Sequence, residues 1–215
     1  MEKVRKIIQT MQNKELYIFS MKRSGQHAII NWLCKQNQPS LHYNACTFKN
    51  SPIPTNKIYE YKNGYVECSV RANKKFDHSL YNLIIYNFED QSPQKLSDKH
   101  KNKITIITRD IYNLVASRLK KDLVWHKSIW MDLDKWNGYK IHFDTWFINK
   151  DYRKQICNDL NIPFTDDGLQ DVFDNGESSF DGKTKDGKAQ EMDVLYRWKE
   201  WENNSKYKKI IRELK

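Results

Sequence analysis

Short apolar runs rich in strand formers alternate along this chain with segments whose apolar residues recur at helical spacing. Residues 16–20, from Leu16 to Ser20, form the first run. A polar loop with one glycine follows over residues 21–25. Ala28, Ile29, Ile30, Trp32 and Leu33 then give the apolar face of a helix that ends near Lys35. Residues 41–45 read as a strand, and residues 58–70 read as a hairpin around the turn pair Asn63 and Gly64. Residues 81–88 and 103–108 are further strands, the second unbroken enough to be buried on both faces. A helix is expected from Tyr112 to Lys121, a short strand from Lys140 to Phe143, and helix again from Asp144 to Leu160 with a break near Asn149. A glycine-containing polar loop over 165–188 and an amphipathic helix from Ala189 to Trp201 close the pattern, with a basic tail beyond and a short basic helix or arm over residues 1–14. Strands alternating with helices predict an α/β chain: a three-layer sandwich with a central, mainly parallel sheet.

The 215 residues suit a single domain over 1–215. An apolar fraction of 39 % with 13 % aromatics excludes a disordered chain. The formal net charge of +10, from 37 Lys and Arg against 27 Asp and Glu, favours an anionic partner without choosing one, or equally a lysine-rich solvated surface. The four cysteines form no C-x-x-C pair, which argues against a zinc ribbon or a redox dithiol. With no apolar run long enough to span a bilayer and no cleavage-site pattern at the N-terminus, a cytoplasmic protein with free thiols is the expectation.

Two constellations carry chemistry. In the first, Lys22, Arg23, Ser24, Gly25, Gln26 and His27 lie between a strand and a helix. Ligands of open α/β sheets bind at such strand ends. The first turn of the helix offers unpaired N–H groups and the positive end of its dipole. Gly25 lets the backbone approach a phosphate, Lys22 and Arg23 add charge, and Ser24 and Gln26 add donors. A Walker A pattern is absent, which disfavours an ordinary ATPase or GTPase. In the second, Arg109 and Asp110 end a buried strand and Ser117 follows eight residues after the arginine. An arginine there can fork onto a phosphate, and a hydroxyl two turns into the returning helix can reach the same group. The plainer alternatives are a tight turn for the first segment and, for the second, a helix cap by Asp110 with Ser117 at the surface.

Together and in this order, the two segments resemble the family of sulfotransferases that use 3′-phosphoadenosine 5′-phosphosulfate (PAPS). The loop from Lys22 to His27 resembles the family's 5′-phosphosulfate loop, and Arg109, Asp110 and Ser117 resemble its 3′-phosphate motif. Residues 175–183, with Phe180, Gly182 and Lys183, look like the glycine-containing region near the nucleotide, and Arg197 with Trp198 looks like compact bacterial members. Two departures stand out: Gln26 and His27 replace the usual Thr-Thr, and Arg23 replaces the lysine before Ser-Gly. The resemblance implies a P-loop-like sulfotransferase fold and PAPS as donor, with 3′,5′-adenosine bisphosphate as product and no metal. It also implies donor contacts from Lys22, Arg23, Ser24, Gly25, Gln26, His27, Arg109, Ser117, Phe180 and Lys183.

The family's base stands at the end of the strand before the 3′-phosphate strand, which here is Glu89, with Asp90 next to it. His27 is the competing candidate, and Lys22 and Arg23 would meet the transferred group. Trp125, Trp130, Trp136 and Trp146 among Lys120, Lys121, Lys127 and Lys135 suggest a small-molecule or glycan acceptor, although a buried helical layer explains the same residues, Trp146 above all. The remaining histidines, at positions 42, 78, 100, 126 and 142, carry no motif. Two rival readings are a kinase-like nucleotide binder and a basic nucleic-acid-binding module. The first lacks a phosphate-loop lysine, and the second lacks any RNP-type or zinc-finger pattern.

Overall fold

A computed structural model describes residues 14–48, 57–70, 76–171 and 193–214. Its centre is a seven-stranded mixed sheet made of β1 (Lys14–Ser20), β2 (Ser40–Asn44), β3 (Lys57–Lys62), β4 (Tyr65–Val70), β5 (Leu83–Glu89), β6 (Ile104–Thr108) and β7 (Tyr139–His142). The strands lie in the order β4-β3-β2-β5-β1-β6-β7. β2, β5, β1, β6 and β7 run parallel, while β3 and β4 add an antiparallel hairpin at one edge. Asn63 and Gly64 turn that hairpin with φ of 52° and 83°, the left-handed pair a two-residue turn demands.

The helices are α1 (Gln26–Gln36), α2 (Ile111–Lys120), α3 (Lys127–Asp134), α4 (Phe143–Ile148), α5 (Lys150–Asp159) and α6 (Ser205–Glu213). Strand parity sorts them onto two faces. Leu16 and Ile18 of β1 pack with Ile29, Ile30 and Leu33 of α1, Trp146 of α4 and Ile156 of α5. Tyr17, Phe19 and Met21 pack on the other face with Leu114 of α2 and Leu133 of α3, and α6 lies against the outside of α2 through Tyr207. A sheet apolar on both faces needs cover on both, so the central strands read as continuous apolar runs. Aromatic rings cross the second face as a stack, Tyr17 on Tyr86 at 5.0 Å and Phe19 on Phe88 at 4.6 Å. The helix break expected near Asn149 is present, and Asn149 itself caps α5, its Oδ1 accepting from Tyr152 N at 3.0 Å.

One expected element takes another form. The described part of the 189–201 helix is a turn followed by a 3₁₀ segment, Arg197–Trp201, and the closing helix is α6, where the sequence suggested only a basic tail. The reason lies in the carbonyls. Val194 O accepts from the Arg109 guanidinium, and Leu195 O accepts from Asn113 Nδ2 at 2.7 Å. Side chains of neighbouring elements therefore take the acceptors an α-helix would use. The basic arm over 1–13, residues 172–188 of the 165–188 loop and residues 189–192 lie outside the described residues.

The chain leaves β1 toward β2 on one side and later crosses from β5 to β6 on the other, so the order reverses at β1. The crevice at the carboxyl ends of β1, β5 and β6 is where open α/β sheets place ligands.

Candidate functional site

Ser20 ends β1 in register with Glu89 of β5 and Ile107 of β6. The loop beyond it is closed by Ser24 N donating to Met21 O at 3.1 Å and turns through positive φ at both Arg23 (76°) and Gly25 (84°). A buried arginine clamps it from the side. Arg118 Nη1 donates to Lys22 O at 3.2 Å and to Asp90 Oδ1 at 2.7 Å, and the same Asp90 oxygen accepts from Lys22 N at 3.0 Å. Arg118 is 2 % exposed, so this ion pair is shielded from solvent and fixes the loop's shape. Asp90, the alternative base of the sequence reading, is thus an anchor for the loop. Arg118 escaped that reading, and the only signal for it is a charged residue inside the apolar helix run 114–119.

Packing gives Gly25 a reason of its own. A Cβ there would clash with the edge of the Phe143 ring at Cδ2, and the positive φ penalises any other residue. The close approach the structure contains is therefore to Phe143 of α4. Immediately after Gly25, α1 opens with no acidic residue in its first turn. The N–H groups that lead a helix and the positive end of its dipole favour negative charge at this end of α1, although Ala28 N already donates to Gly25 O at 3.1 Å. Lys22 is exposed at its lip, and Arg23 is partly buried.

The first turn of α1 also builds a polar chain to β5. Ser24 Oγ donates to Gln26 Oε1 at 2.9 Å, which orients the Gln26 amide so that Nε2 donates to Glu89 Oε1. His27 Nε2 meets the same carboxylate oxygen at 3.0 Å. Burial alone would raise the Glu89 pKa. Hydrogen bonding to His27, its charge, the Lys22 charge and the Gln26 amide outweigh burial and hold the carboxyl down at about 2. Glu89 is thus an ionised carboxylate that only accepts. Facing an oxygen that only accepts, His27 Nε2 is the donor of this contact. His27 is the more open of the two, with its side chain 33 % exposed against 11 % for Glu89.

Arg109 joins the second constellation to the first. Its Nη1 donates to Arg23 O at 3.1 Å and to Ser117 Oγ at 3.3 Å, while Nη2 donates to Val194 O. The guanidinium stacks over the Phe143 ring at 5.1 Å from the centroid. Burial lowers its pKa to about 10, a loss that Asp144 opposes, so the group stays cationic at neutral pH. Nε is buried without an acceptor among the described residues. Ser117 is fully buried rather than at the surface, and Asp110 does cap α2, its Oδ2 accepting from Asn113 N at 2.9 Å. Asp110 N in turn donates to Asp144 Oδ2 at 2.6 Å, and Asp144 is a neighbour no motif singled out. Phe180 and Lys183 lie outside the described residues.

Beside Arg109, on the side away from Glu89, a cavity of about 320 Å³ opens at the ends of β6 and β7. Ser24, Arg109, Ile111, Trp130, Lys140 and His142 are among the residues that line it. His142 is fixed by a 2.7 Å hydrogen bond between Nδ1 and Thr108 Oγ1. The tryptophans serve the core more than any surface. Trp146 is fully buried, while Trp125, Trp130 and Trp136 pack against the second face, leaving Lys120, Lys121, Lys127 and Lys135 exposed around them. Among the described residues no group of three or more His, Cys, Asp or Glu side chains is placed to hold a metal ion, and no helix is long and apolar enough to cross a membrane. No family model matches the chain, and neither the curated proteins nor the solved structures contain a match to it.

Proposed function

We propose that this protein is a sulfotransferase that moves a sulfonate from PAPS to an acceptor hydroxyl or amine, on a P-loop-like fold. The observation that carries the reading is the Arg109 guanidinium. It touches the carbonyl of Arg23 in the loop and the hydroxyl of Ser117 at once, so the two segments, far apart in sequence, meet in one crevice. An adenosine with phosphate groups at both its 3′ and 5′ positions is the ligand class that such a pair of sites fits. The residues suit it: the cradle at the start of α1 takes one anionic end, and Arg109, with its unpartnered Nε, takes the other beside Ser117. The cavity beyond Arg109 has the size of a small-molecule site at the lower end of the usual range.

The bound donor supplies an activated sulfonate whose leaving group is adenosine bisphosphate. Lys22, Arg23 and the N–H groups of the loop stabilise the charge that grows on the leaving phosphate oxygen as its bond to sulfur breaks. The acceptor approaches from the β5 side, opposite the cavity. As its oxygen or nitrogen bonds to sulfur, its proton passes to His27 Nδ1. Glu89 acts through His27: a carboxylate held at about 2 is a weak base at neutral pH, but it fixes the tautomer and stabilises the imidazolium. The acceptor is proposed to be a small molecule or a glycan.

The test is transfer of labelled sulfonate from PAPS to a panel of phenols, amines and sugars with a chelator present. Wild-type protein is expected to turn over at least one acceptor. His27→Asn is expected to lose activity by 100-fold or more while binding 3′,5′-adenosine bisphosphate as before. If neither transfer nor bisphosphate binding is detected, the proposal is wrong.

A further inference from the structure

Beneath the His27–Glu89 pair the interface between α1 and the sheet ceases to be apolar. Ser20 of β1, Asn31 of α1, His42 of β2 and Asn87 of β5 are each 2 % exposed or less. Ser20 Oγ, Asn31 Oδ1, Asn87 Oδ1 and both ring nitrogens of His42 have no hydrogen-bond partner among the described residues. Their common location follows from the fold. Ser20 is in register with Glu89, and Asn87 precedes Glu89 by two along β5 and so shares its face. Asn31 stands one turn after His27 on α1. His42 pairs with Ile85, which packs on that same face, and its ring centroid is 6.1 Å from that of His27. Asn44, two beyond His42, accepts from Asn87 Nδ2 at 3.0 Å. The layer thus spans three neighbouring strands and the helix above them.

Buried polar atoms without partners are costly, and native proteins satisfy nearly all of them through protein groups or ordered water. Five such atoms lie in one layer, on the face of the sheet that Glu89 shares, and together they call for a common partner. Two amide oxygens, a hydroxyl and a neutral imidazole offer the two to four partners that an internal water needs. Burial keeps His42 neutral, the nearby His27 adds to this, and Glu89 opposes it. Its ring stacks on Tyr59 at 5.3 Å, so its orientation is set by packing. The His27 and His42 rings stand too far apart for a direct hydrogen bond, so a water in the layer reaches the pair through Glu89, whose Oε2 neither Gln26 nor His27 engages.

We propose that Ser20, Asn31, His42 and Asn87 form a buried hydration site under the His27–Glu89 pair, and that His42, through the water held there, is a positioning residue for that pair. It touches neither donor nor acceptor. Its effect on turnover rests on the transferase reading above, but its effect on His27 does not. His42→Phe keeps the ring volume and the stack on Tyr59 while removing both nitrogens, and His42→Gln keeps a polar group of similar reach.

Three measurements test this. A high-resolution crystal structure is expected to show water within hydrogen-bonding distance of a His42 nitrogen and of Asn31 Oδ1 or Asn87 Oδ1; a dry layer overturns the proposal. Nitrogen-15 NMR of the His27 ring is expected to report mainly the Nε2–H tautomer in the wild type and a mixture of tautomers in His42→Phe. An unchanged His27 spectrum overturns the positioning role whether or not the protein transfers sulfonate. With PAPS and a working acceptor, His42→Phe is expected to lower kcat by 10-fold or more with donor KM unchanged, and His42→Gln to recover part of the loss. Full activity in His42→Phe also overturns the role, whereas absence of transfer in the wild type sinks only the transferase reading. Should His42→Phe fail to fold, the NMR comparison is made on His42→Leu, which also removes both nitrogens, and an unchanged His27 spectrum there overturns the positioning role.

Discussion

At the scale of the residue, Glu89 shows how an environment redirects a group. Its position at a strand end was legible in the sequence, because strand ends in α/β chains face the crevice. What the sequence did not show was that Gln26 and His27 both bind its Oε1, since that depends on how α1 leaves the loop. Holding the carboxyl at about 2, below its ordinary 4.5, makes its ionised form a stabilising element of the fold. A depressed carboxylate contributes stability that is complete above the unfolded value and lost as pH falls through the folded one. Wild-type protein is therefore expected to lose stability between about pH 4.5 and 2, with Glu89 responsible for about 3 kcal/mol of the loss. Glu89→Gln is expected to be less stable by a similar amount at pH 7 and to show a shallower acid slope, as read by urea unfolding across that range. Arg118 and His42 were invisible to motif reading because a lone buried charge or imidazole acquires meaning only from partners on other strands.

At the scale of the element, the strand, glycine loop and helix over residues 16–35 were readable from apolar spacing, the hairpin from the turn pair Asn63 and Gly64, and the break near Asn149 from its polar residues, though not that Asn149 caps the next helix. Such features are local: they depend on backbone preference and on side chains a few positions away. The segment 193–201 was misread because its periodicity is helical while its carbonyls serve Arg109 and Asn113 from another element, and tertiary partners override local pattern. Gly25 combines both levels. Its positive φ is local, but the ring of Phe143 over it is tertiary. Gly25→Ala is expected to destabilise the protein by about 2–4 kcal/mol, the sum of left-handed strain and overpacking. Adding Phe143→Ala should relieve the overpacking part, so a double-mutant cycle on chemical denaturation should show coupling of at least about 1 kcal/mol. Additive effects would mean that the ring does not press on this turn.

At the scale of the whole molecule, strand order decides what the separate motifs can do together. The reversal at β1 brings the ends of β5 and β6 to either side of one loop, so Glu89 and Arg109 flank it from opposite sides. The net charge of +10 pointed to an anionic partner but named none. The fold brings Lys22, Arg23, Arg109 and Arg118 to the one crevice, with Arg109 and Arg118 each donating to a carbonyl of the loop. The α/β class and the parallel centre of the sheet were legible in the alternation of strands and helices. The antiparallel edge beyond β2 was legible only as a hairpin, because its neighbour in the sheet is set by the crossover to β5 rather than by anything local.

The most direct measurement of a shared, two-ended anion site is calorimetric binding of 3′,5′-adenosine bisphosphate against 5′-AMP, without divalent metal, in wild-type protein and in Ser117→Ala with Arg109→Gln. The bisphosphate is expected to bind the wild type at least tenfold more tightly than AMP, and the double variant to erase that preference while still binding AMP. Equal affinities in the wild type, or a preference that survives in the double variant, would contradict the account.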